Sequence, residues 1–253
     1  MNNELASIVM PVFNTERYLP DAIKCVQAQT YTNWELLAID DGSNDRCADI
    51  LSSYANEDVR IQPVFLLENH GVAYARNVGI KLAHGRYLCF LDSDDLWDMK
   101  KLEIQISYMK KNRHPFTFTS YRLIKEDGGF LNWIVPVPKI VTYEEVLYKT
   151  VIWTSTVCID LNDVELPKMP LINGAEDTAT WLTILKQTGY AEGINQVLSF
   201  YRQVPTSLSH KFKNRMGRMW TMYRHIEKFS CLKSMYYYVL WFCYIMKKRK
   251  FSR

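Results

Sequence analysis

Asp92-Ser93-Asp94 stands directly after the apolar run Leu88–Leu91, at the end of a segment with the character of a buried strand. Two carboxylates at i and i+2 on a strand end can both turn toward one hard cation, Mn2+ or Mg2+. A cation held there can bridge to a diphosphate and neutralise charge on a departing nucleotide. The same tripeptide also suits a solvated acidic turn, with Asp95 capping the next helix. Asp40-Asp41-Gly42-Ser43 follows another apolar run, Trp34–Ile39. A carboxylate there can accept the imide N–H of uracil or a ribose hydroxyl, or close a β-turn through Asx chemistry. Asn69 and Gly71, then Ala75-Arg76-Asn77, lie at the mouth and on the first turns of a helix. Arg76 can reach a nucleotide or its phosphates, or pair on the surface one helical turn away. Glu176-Asp177 opens a helix after Asn173-Gly174. One of the two can act as a general base, and a carboxylate in a first turn also favours the helix itself. Tyr201-Arg202, with Ser207, Ser209 and His210, makes a polar loop in which Arg202 can hold a phosphate.

These clusters need strands to hold them at one edge. Ser7–Phe13, Trp34–Ile39, Ile61–Leu67 and Tyr87–Leu91 are short apolar runs, each followed by polar residues. Between them, Leu19, Ala22, Ile23, Val26 and Thr30 recur at helical spacing, Asp45 can cap a helix to about Tyr54, and Val72, Ala75, Val78 and Leu82 share a helix face. Alternation of strand and helix predicts an α/β fold with a largely parallel sheet, whose carboxyl edge binds ligands. Residues 1–112 therefore form a nucleotide-binding half. Beyond them the spacing predicts strands at Phe116–Ile124, Trp133–Val137, Trp153–Ile159 and Val197–Arg202, and a helix over Ala175–Thr188, as a second half to residue 210.

Taken together the marks resemble the inverting family 2 glycosyltransferases of GT-A fold. They are Pro11-Val12-Phe13-Asn14, Asp40-Asp41-Gly42-Ser43-x-Asp45, Asn69-x-Gly71-x-x-x-Ala75-Arg76-Asn77, Gly85-x-Tyr87, Phe90-Leu91-Asp92-Ser93-Asp94-Asp95 and Glu176-Asp177. The resemblance runs from residue 5 to about 205, tightly to residue 100 and loosely after. It implies a single nucleotide-diphospho-sugar transferase domain and a UDP-sugar donor. Asp40 and Asp41 would recognise uridine, Asp92 would lie near the ribose and metal, Asp94 would be the principal ligand of Mn2+ or Mg2+, and Asp177 would take the acceptor proton. Pro11, Phe13, Asn14, Asn69, Arg76, Ser93, Glu176 and Arg202 complete the substrate site. One in-line displacement inverts the anomeric centre, so a UDP-α-sugar gives a β-linkage. Glucose and galactose are the expected sugars, from family frequency. The family often carries Trp or Phe followed by Arg downstream of Glu-Asp; here Trp181 is present but Leu182–Gln187 offers only Lys186.

Composition and charge narrow the setting. Of 253 residues 48% are hydrophobic and 23% charged, which suits a globular chain with a large core. Six cysteines without metal-ligand spacing argue against a zinc site or disulfide framework and fit a reducing cytosol, and the N-terminus lacks a secretory pattern. Residues 1–210 carry 19 Lys+Arg against 26 Asp+Glu, whereas residues 211–253 carry 12 against 1. Met235–Met246 is free of charge and precedes Lys247-Lys248-Arg249-Lys250. Twelve helical residues reach ~18 Å, short of a ~30 Å hydrocarbon core, so the segment suits an anionic membrane interface, or a helix packed on the domain. Bacterial relatives build O-antigen, capsule or lipopolysaccharide on lipid carriers, which places the expected enzyme peripherally on the inner face of the cell membrane, with an undecaprenyl-diphosphate-linked or other lipid-linked glycan as acceptor. A nucleotidyltransferase would carry a glycine-rich loop near the N-terminus, and Ile8–Tyr18 has no glycine. A non-catalytic nucleotide-binding module is the other reading, opposed by Asp92, Asp94 and Asp177. No nucleic-acid-binding motif accompanies the basic tail.

Overall fold

The computed structural model describes residues 2–172, 174–204 and 212–250. The first half alternates β1 (Asn2–Val12), α1 (Leu19–Gln27), β2 (Trp34–Asp40), α2 (Cys47–Glu57), β3 (Ile61–Phe65), α3 (Val72–Leu82) and β4 (Gly85–Phe90). β1 lies between β2 and β4 and runs parallel to both, and β3 extends the sheet parallel to β2. Val12 is in register with Asp40 and Asp40 with Phe65, so β1, β2 and β3 end level. The loops carrying Phe13, Asp41 and Asn69 therefore share one edge, with Asp92 joining them from β4, where Phe90 faces Val9.

The second half continues through β5 (Leu96–Trp97), α4 (Lys101–Asn112), β6 (Phe116–Ile124), β7 (Phe130–Val135), β8 (Ile140–Thr142), α5 (Tyr143–Tyr148), a 3-10 turn at Thr154–Thr156, β9 (Cys158–Asp160), α6 (Glu176–Thr188) and β10 (Tyr190–Arg202). Among the described residues one sheet results, in the order β3-β2-β1-β4-β9-β6-β10-β5, with β7 on β6 and β8 on β10. β9 is antiparallel to β4 and β6, while β10 returns parallel to β6. Alternate residues of β1 and β2 feed two cores. Val9, Leu37 and Ile39 face α3 and α6; Ile8, Met10, Leu36 and Ala38 face α1, α2 and α4.

Three local expectations change. The face of α3 turned to the sheet is Ala73, Ala75, Arg76 and Gly79, while Val72 and Leu82 are exposed. A Cβ at position 79 would come within 2.5 Å of Val9 Cγ1, so the helix sits too close for large residues and points its small ones inward. Asp95 does not cap a helix: β5 follows it, and α4 begins only at Lys101. The strand expected over Trp153–Ile159 shrinks to β9, because Thr154 and Ser155 are drawn into a turn by hydrogen bonds to carboxylates of the polar edge.

The basic tail is helical, as α7 (Phe212–Thr221), a π-helical turn at Met222–Ile226 and α8 (Cys231–Lys250). Met219, Met222, Tyr223, Trp241 and Ile245 are buried in the same core as Trp181. Tyr223 donates to the Leu147 carbonyl, and Lys186 Nζ reaches both oxygens of Glu227 at 3.0 and 2.8 Å. One face of the tail thus belongs to the domain. Among the described residues no helix is long and apolar enough to cross a membrane. Trp241→Ala should destabilise the protein by ~3–5 kcal/mol, read from the urea midpoint. An unchanged midpoint would mean that α8 stands apart from the core.

Candidate active site

The loops after β1, β2 and β3 are bonded to one another. Asn14, in a left-handed conformation (φ 51°), donates its N–H to Ser43 Oγ at 3.0 Å and accepts from the Asn44 N–H at 2.8 Å through Oδ1. Asp40 Oδ1 accepts from the Ser43 N–H at 3.0 Å. Asp41 accepts the His70 and Gly71 N–H groups, at 3.0 and 2.7 Å, while Asn69 Nδ2 donates to the Asp41 carbonyl at 3.2 Å. Gly42 is left-handed, and a Cβ there would lie 2.7 Å from the Glu68 carbonyl carbon. Asp40 and Asp41 therefore shape these loops through their own hydrogen bonds. Pro11 is buried beneath, and Phe13 lies at the rim with 42% of its surface exposed, free to stack on a flat ring.

Arg76 stands deeper than its sequence position suggests. It is 4% exposed; Nη2 donates to Asp92 Oδ1 at 2.7 Å and Nη1 to Glu176 Oε1 at 3.2 Å. The expected reach to a nucleotide is replaced by a bridge, because the inward face of α3 aims the side chain between two carboxylates. Burial opposes the charge of Arg76, but Asp92 and Glu176 outweigh it and hold the guanidinium protonated. Glu176 is buried too, and burial followed by the neighbouring Asp177 raises its carboxyl above the usual range, with Arg76 opposing. Asp177 is only half-buried; Oδ2 accepts from Thr154 Oγ1 at 3.1 Å and Oδ1 from the Thr178 N–H at 2.6 Å. Of the adjacent pair, Asp177 is the one open to a substrate.

The acidic loop after β4 is clamped from behind. Arg202, 1% exposed, donates Nε to the Asp94 carbonyl at 2.8 Å and Nη1 to the Glu126 carbonyl at 2.9 Å, and its N–H reaches Asp95 Oδ1 at 3.1 Å. It thus braces the loop, and the phosphate role expected for Arg202 does not fit these bonds. Asp95, also buried, accepts from Ser155 Oγ at 2.7 Å and Trp153 Nε1 at 3.3 Å. Ser93 is buried and takes a 3.0 Å bond from Thr15 Oγ1, so it supports the loop from beneath. Burial first, and then the Asp92 charge, push the Asp94 carboxyl up to about 6.

Among the described residues no group of three or more His, Cys, Asp or Glu side chains can hold a metal alone. Asp92 and Asp94 nevertheless fit Mn2+ or Mg2+, which commonly take one or two carboxylates and complete their shell with water and substrate phosphates. A cation would relieve the repulsion that raises Asp94.

Thr154, Ser155 and Trp153 escaped the sequence reading because they sit inside an apparent strand; the polar run Thr154-Ser155-Thr156 was the available signal. Trp153 packs against Tyr201 at 4.5 Å and Tyr121 at 6.0 Å between ring centroids, an aromatic cluster beside Asp95 and Asp177. Arg218 of α7 was also missed. Its side chain lies over Gly174 (φ +87°), where an added Cβ would meet Arg218 Cδ at 2.4 Å. An arginine of the tail thus lies against Gly174, two residues before Glu176, while Trp181 is core and Lys186 pairs with Glu227. Asn173, Ser207, Ser209 and His210 lie outside the described residues.

The elevated Asp94 makes stability depend on pH. Between the ordinary aspartate value of ~4 and about 6, the folded protein keeps a proton that the unfolded chain has lost, so stability falls as pH rises through that window. Asp94→Asn cannot ionise. Without divalent ions it should melt above the parent at pH 7, with the gap closing toward pH 4. A gap that is the same at both pH values would show that Asp94 is not raised in the folded state.

The chain has counterparts among known proteins. Residues 7–159, more than half the chain, match Glycosyl transferase family 2. A protein of Bacillus subtilis (strain 168), TuaG, named as a glycosyltransferase of teichuronic acid biosynthesis, is 38% identical over 97% of each chain. WfgD of Escherichia coli, named UDP-Glc:alpha-D-GlcNAc-diphosphoundecaprenol beta-1,3-glucosyltransferase, is 34% identical over 100% of this chain and 98% of its own. Among solved structures, S. aureus TarS 1-349 in complex with UDP-GlcNAc superposes with a TM-score of 0.70 at 17% identity, over 94% of this chain and 71% of that one. The mannosyltransferase PcManGT of Pyrobaculum calidifontis, in complex with GDP-Man and Mn2+, gives 0.67 at 16% identity, over 91% and 66%. The α/β sheet with its acidic carboxyl edge is thus a GT-A fold, and the chain belongs to glycosyl transferase family 2.

Proposed function

We propose that this chain transfers a hexose, glucose or galactose, from a UDP-sugar to a hydroxyl of a lipid-linked glycan, with inversion to a β-linkage, in the synthesis of a bacterial surface polysaccharide such as O-antigen, capsule or lipopolysaccharide. The observation that carries this reading is the chain of contacts from Asp177 through the adjacent Glu176 and Arg76 to Asp92, which ties a half-exposed carboxylate to the acidic pair. The names of TuaG and WfgD support a polysaccharide acceptor, and that of WfgD supports a diphosphoundecaprenol-linked one.

In this reading Phe13 and the loops of Asp40, Asp41 and Asn69 bind the uridine. Asp92 and Asp94 hold Mn2+ or Mg2+, which when bound supplies positive charge to the diphosphate leaving group. Arg218, whose side chain lies over Gly174, adds a second cation near the start of α6. The acceptor hydroxyl oxygen attacks C1 of the sugar, the C1–O bond to UDP breaks with its electron pair going to the diphosphate, and the hydroxyl proton passes to Asp177. Thr154 orients that carboxylate by donating to Oδ2, leaving Oδ1 shared with the Thr178 N–H. Glu176, with its carboxyl raised and paired to Arg76, positions the turn. A lipid-linked acceptor puts the reaction on the inner face of the cell membrane, with the protein bound peripherally.

Asp177→Asn should keep UDP affinity and lower kcat by ~10²-fold or more, measured as UDP release with a synthetic GlcNAc-diphospho-lipid acceptor. Loss of UDP affinity in equal measure would assign Asp177 to the donor site instead. UDP with Mn2+ should raise the melting temperature, GDP far less, and EDTA should remove the effect along with activity; ligand at 100 Kd stabilises by ~2.7 kcal/mol. Stronger protection by GDP would overturn the uridine reading.

A further inference from the structure

Helix α8 has two apolar faces, and among the described residues the domain covers one of them. Ser234, Trp241 and Ile245 are buried against the body. Leu232, Met235, Tyr236, Val239, Phe242 and Met246 are exposed, at 85%, 52%, 61%, 51%, 37% and 47%. At 100° per residue these six fall within an arc of about 120°, turned away from the buried side. Isolated exposed apolar residues are ordinary, but a stripe of six along one helix, without a charge in it, marks a contact surface.

Charge identifies what covers it. α8 contains no Asp or Glu, and its C-terminal turn is Lys247-Lys248-Arg249-Lys250. The one earlier charge, Lys233, lies 4.1 Å over the Phe229 ring. Residues 211–253 carry 12 basic against 1 acidic side chain, while residues 1–210 have a net charge of −7. An anionic surface therefore attracts the tail and repels the body, which sets an orientation as well as an affinity. Nucleic acid would neutralise the basic turn but give the aliphatic stripe no apolar partner. A second copy would cover the stripe but bring two strongly basic tails together.

We infer that the exposed face of α8 is a docking surface for an anionic phospholipid bilayer, lying in the interface plane with the stripe among the acyl-chain boundary and the basic turn among the headgroups. The inference rests on the proposed lipid-linked acceptor for its purpose. The tail is anchored to the domain by Trp241 and Ile245, so the membrane contact belongs to one face of a packed helix and cannot be cut away with the fold left intact.

The test uses the full-length protein and sedimentation with vesicles of phosphatidylcholine, with and without an equal share of phosphatidylglycerol. It needs neither donor nor acceptor, so its failure is separate from failure of the transferase reading. The protein should partition onto the anionic vesicles, more weakly at high salt but with a salt-resistant remainder. Val239→Ser, Phe242→Ser and Met246→Ser combined should weaken partitioning by about 10²-fold while sparing UDP binding. Exposed Cys243 offers a readout without mutation: anionic vesicles should slow its modification by a charged maleimide, mapped by peptide mass. Unchanged partitioning of the triple variant, or unprotected Cys243, would overturn the inference. So would a dimer in light scattering that the triple variant converts to a monomer, since the stripe would then be a self-interface.

Discussion

The guanidinium of Arg76 is the point on which the rest of the site turns. It is buried, it comes from the helix after β3, and it reaches the acidic loop after β4 on one side and the first turn of α6 on the other. Residue 176 lies 100 positions from residue 76 in the chain, so this one cation fixes the distance between the acidic loop after β4 and the first turn of α6. A buried ion pair contributes little net stability when intact. Removing one partner, however, strands the others without compensation and costs ~3–5 kcal/mol. Here three charges are involved, so the arrangement is better understood as specifying geometry than as a source of stability.

Around that bridge the site is built in two shells of opposite character. The inner carboxylates, Asp92, Asp94 and Asp177, keep part of their surface open. Behind them Arg202, Asp95, Ser155 and Trp153 are held in place by bonds to each other and to the loop backbone. The loop after β4 can therefore hold Asp92 and Asp94 close together, and burial first, with the Asp92 charge second, raises the Asp94 carboxyl. The aromatic cluster of Tyr121, Trp153 and Tyr201 joins the same frame through the Trp153 indole.

Much of this could be read in the sequence, for identifiable reasons. Parallel strands alternate with helices at short range in the first hundred residues, so apolar runs and the polar clusters behind them located β1 to β4 and the acidic edge. What failed was direction. Periodicity placed Arg76 near the edge of α3 but not which face the close packing of Gly79 on Val9 would bury. Arg202 had the right chemistry for a phosphate, and only the fold shows its donors facing Asp94, Asp95 and Glu126. Thr154 and Ser155 were hidden by β-branched, strand-like neighbours. For the tail, charge and apolar content were legible; the split of α8 into a covered and an open face depended on what α5, α7 and the π-helical turn offered to pack against.

The mutual bonding of the donor loops has an entropic consequence. Asn14 to Ser43 and Asn44, Asp40 to Ser43, and Asp41 to His70 and Gly71 fix three separate segments before any nucleotide arrives. Ordering one backbone residue costs ~1–2 kcal/mol, whereas a micromolar complex is worth only ~8 kcal/mol in all. Were even five or six of these loop residues mobile in the free protein, freezing them would cancel most of that affinity. The chain meets this cost once, when it folds, so in the proposed reading a nucleotide at this edge would bind a surface already set to receive it.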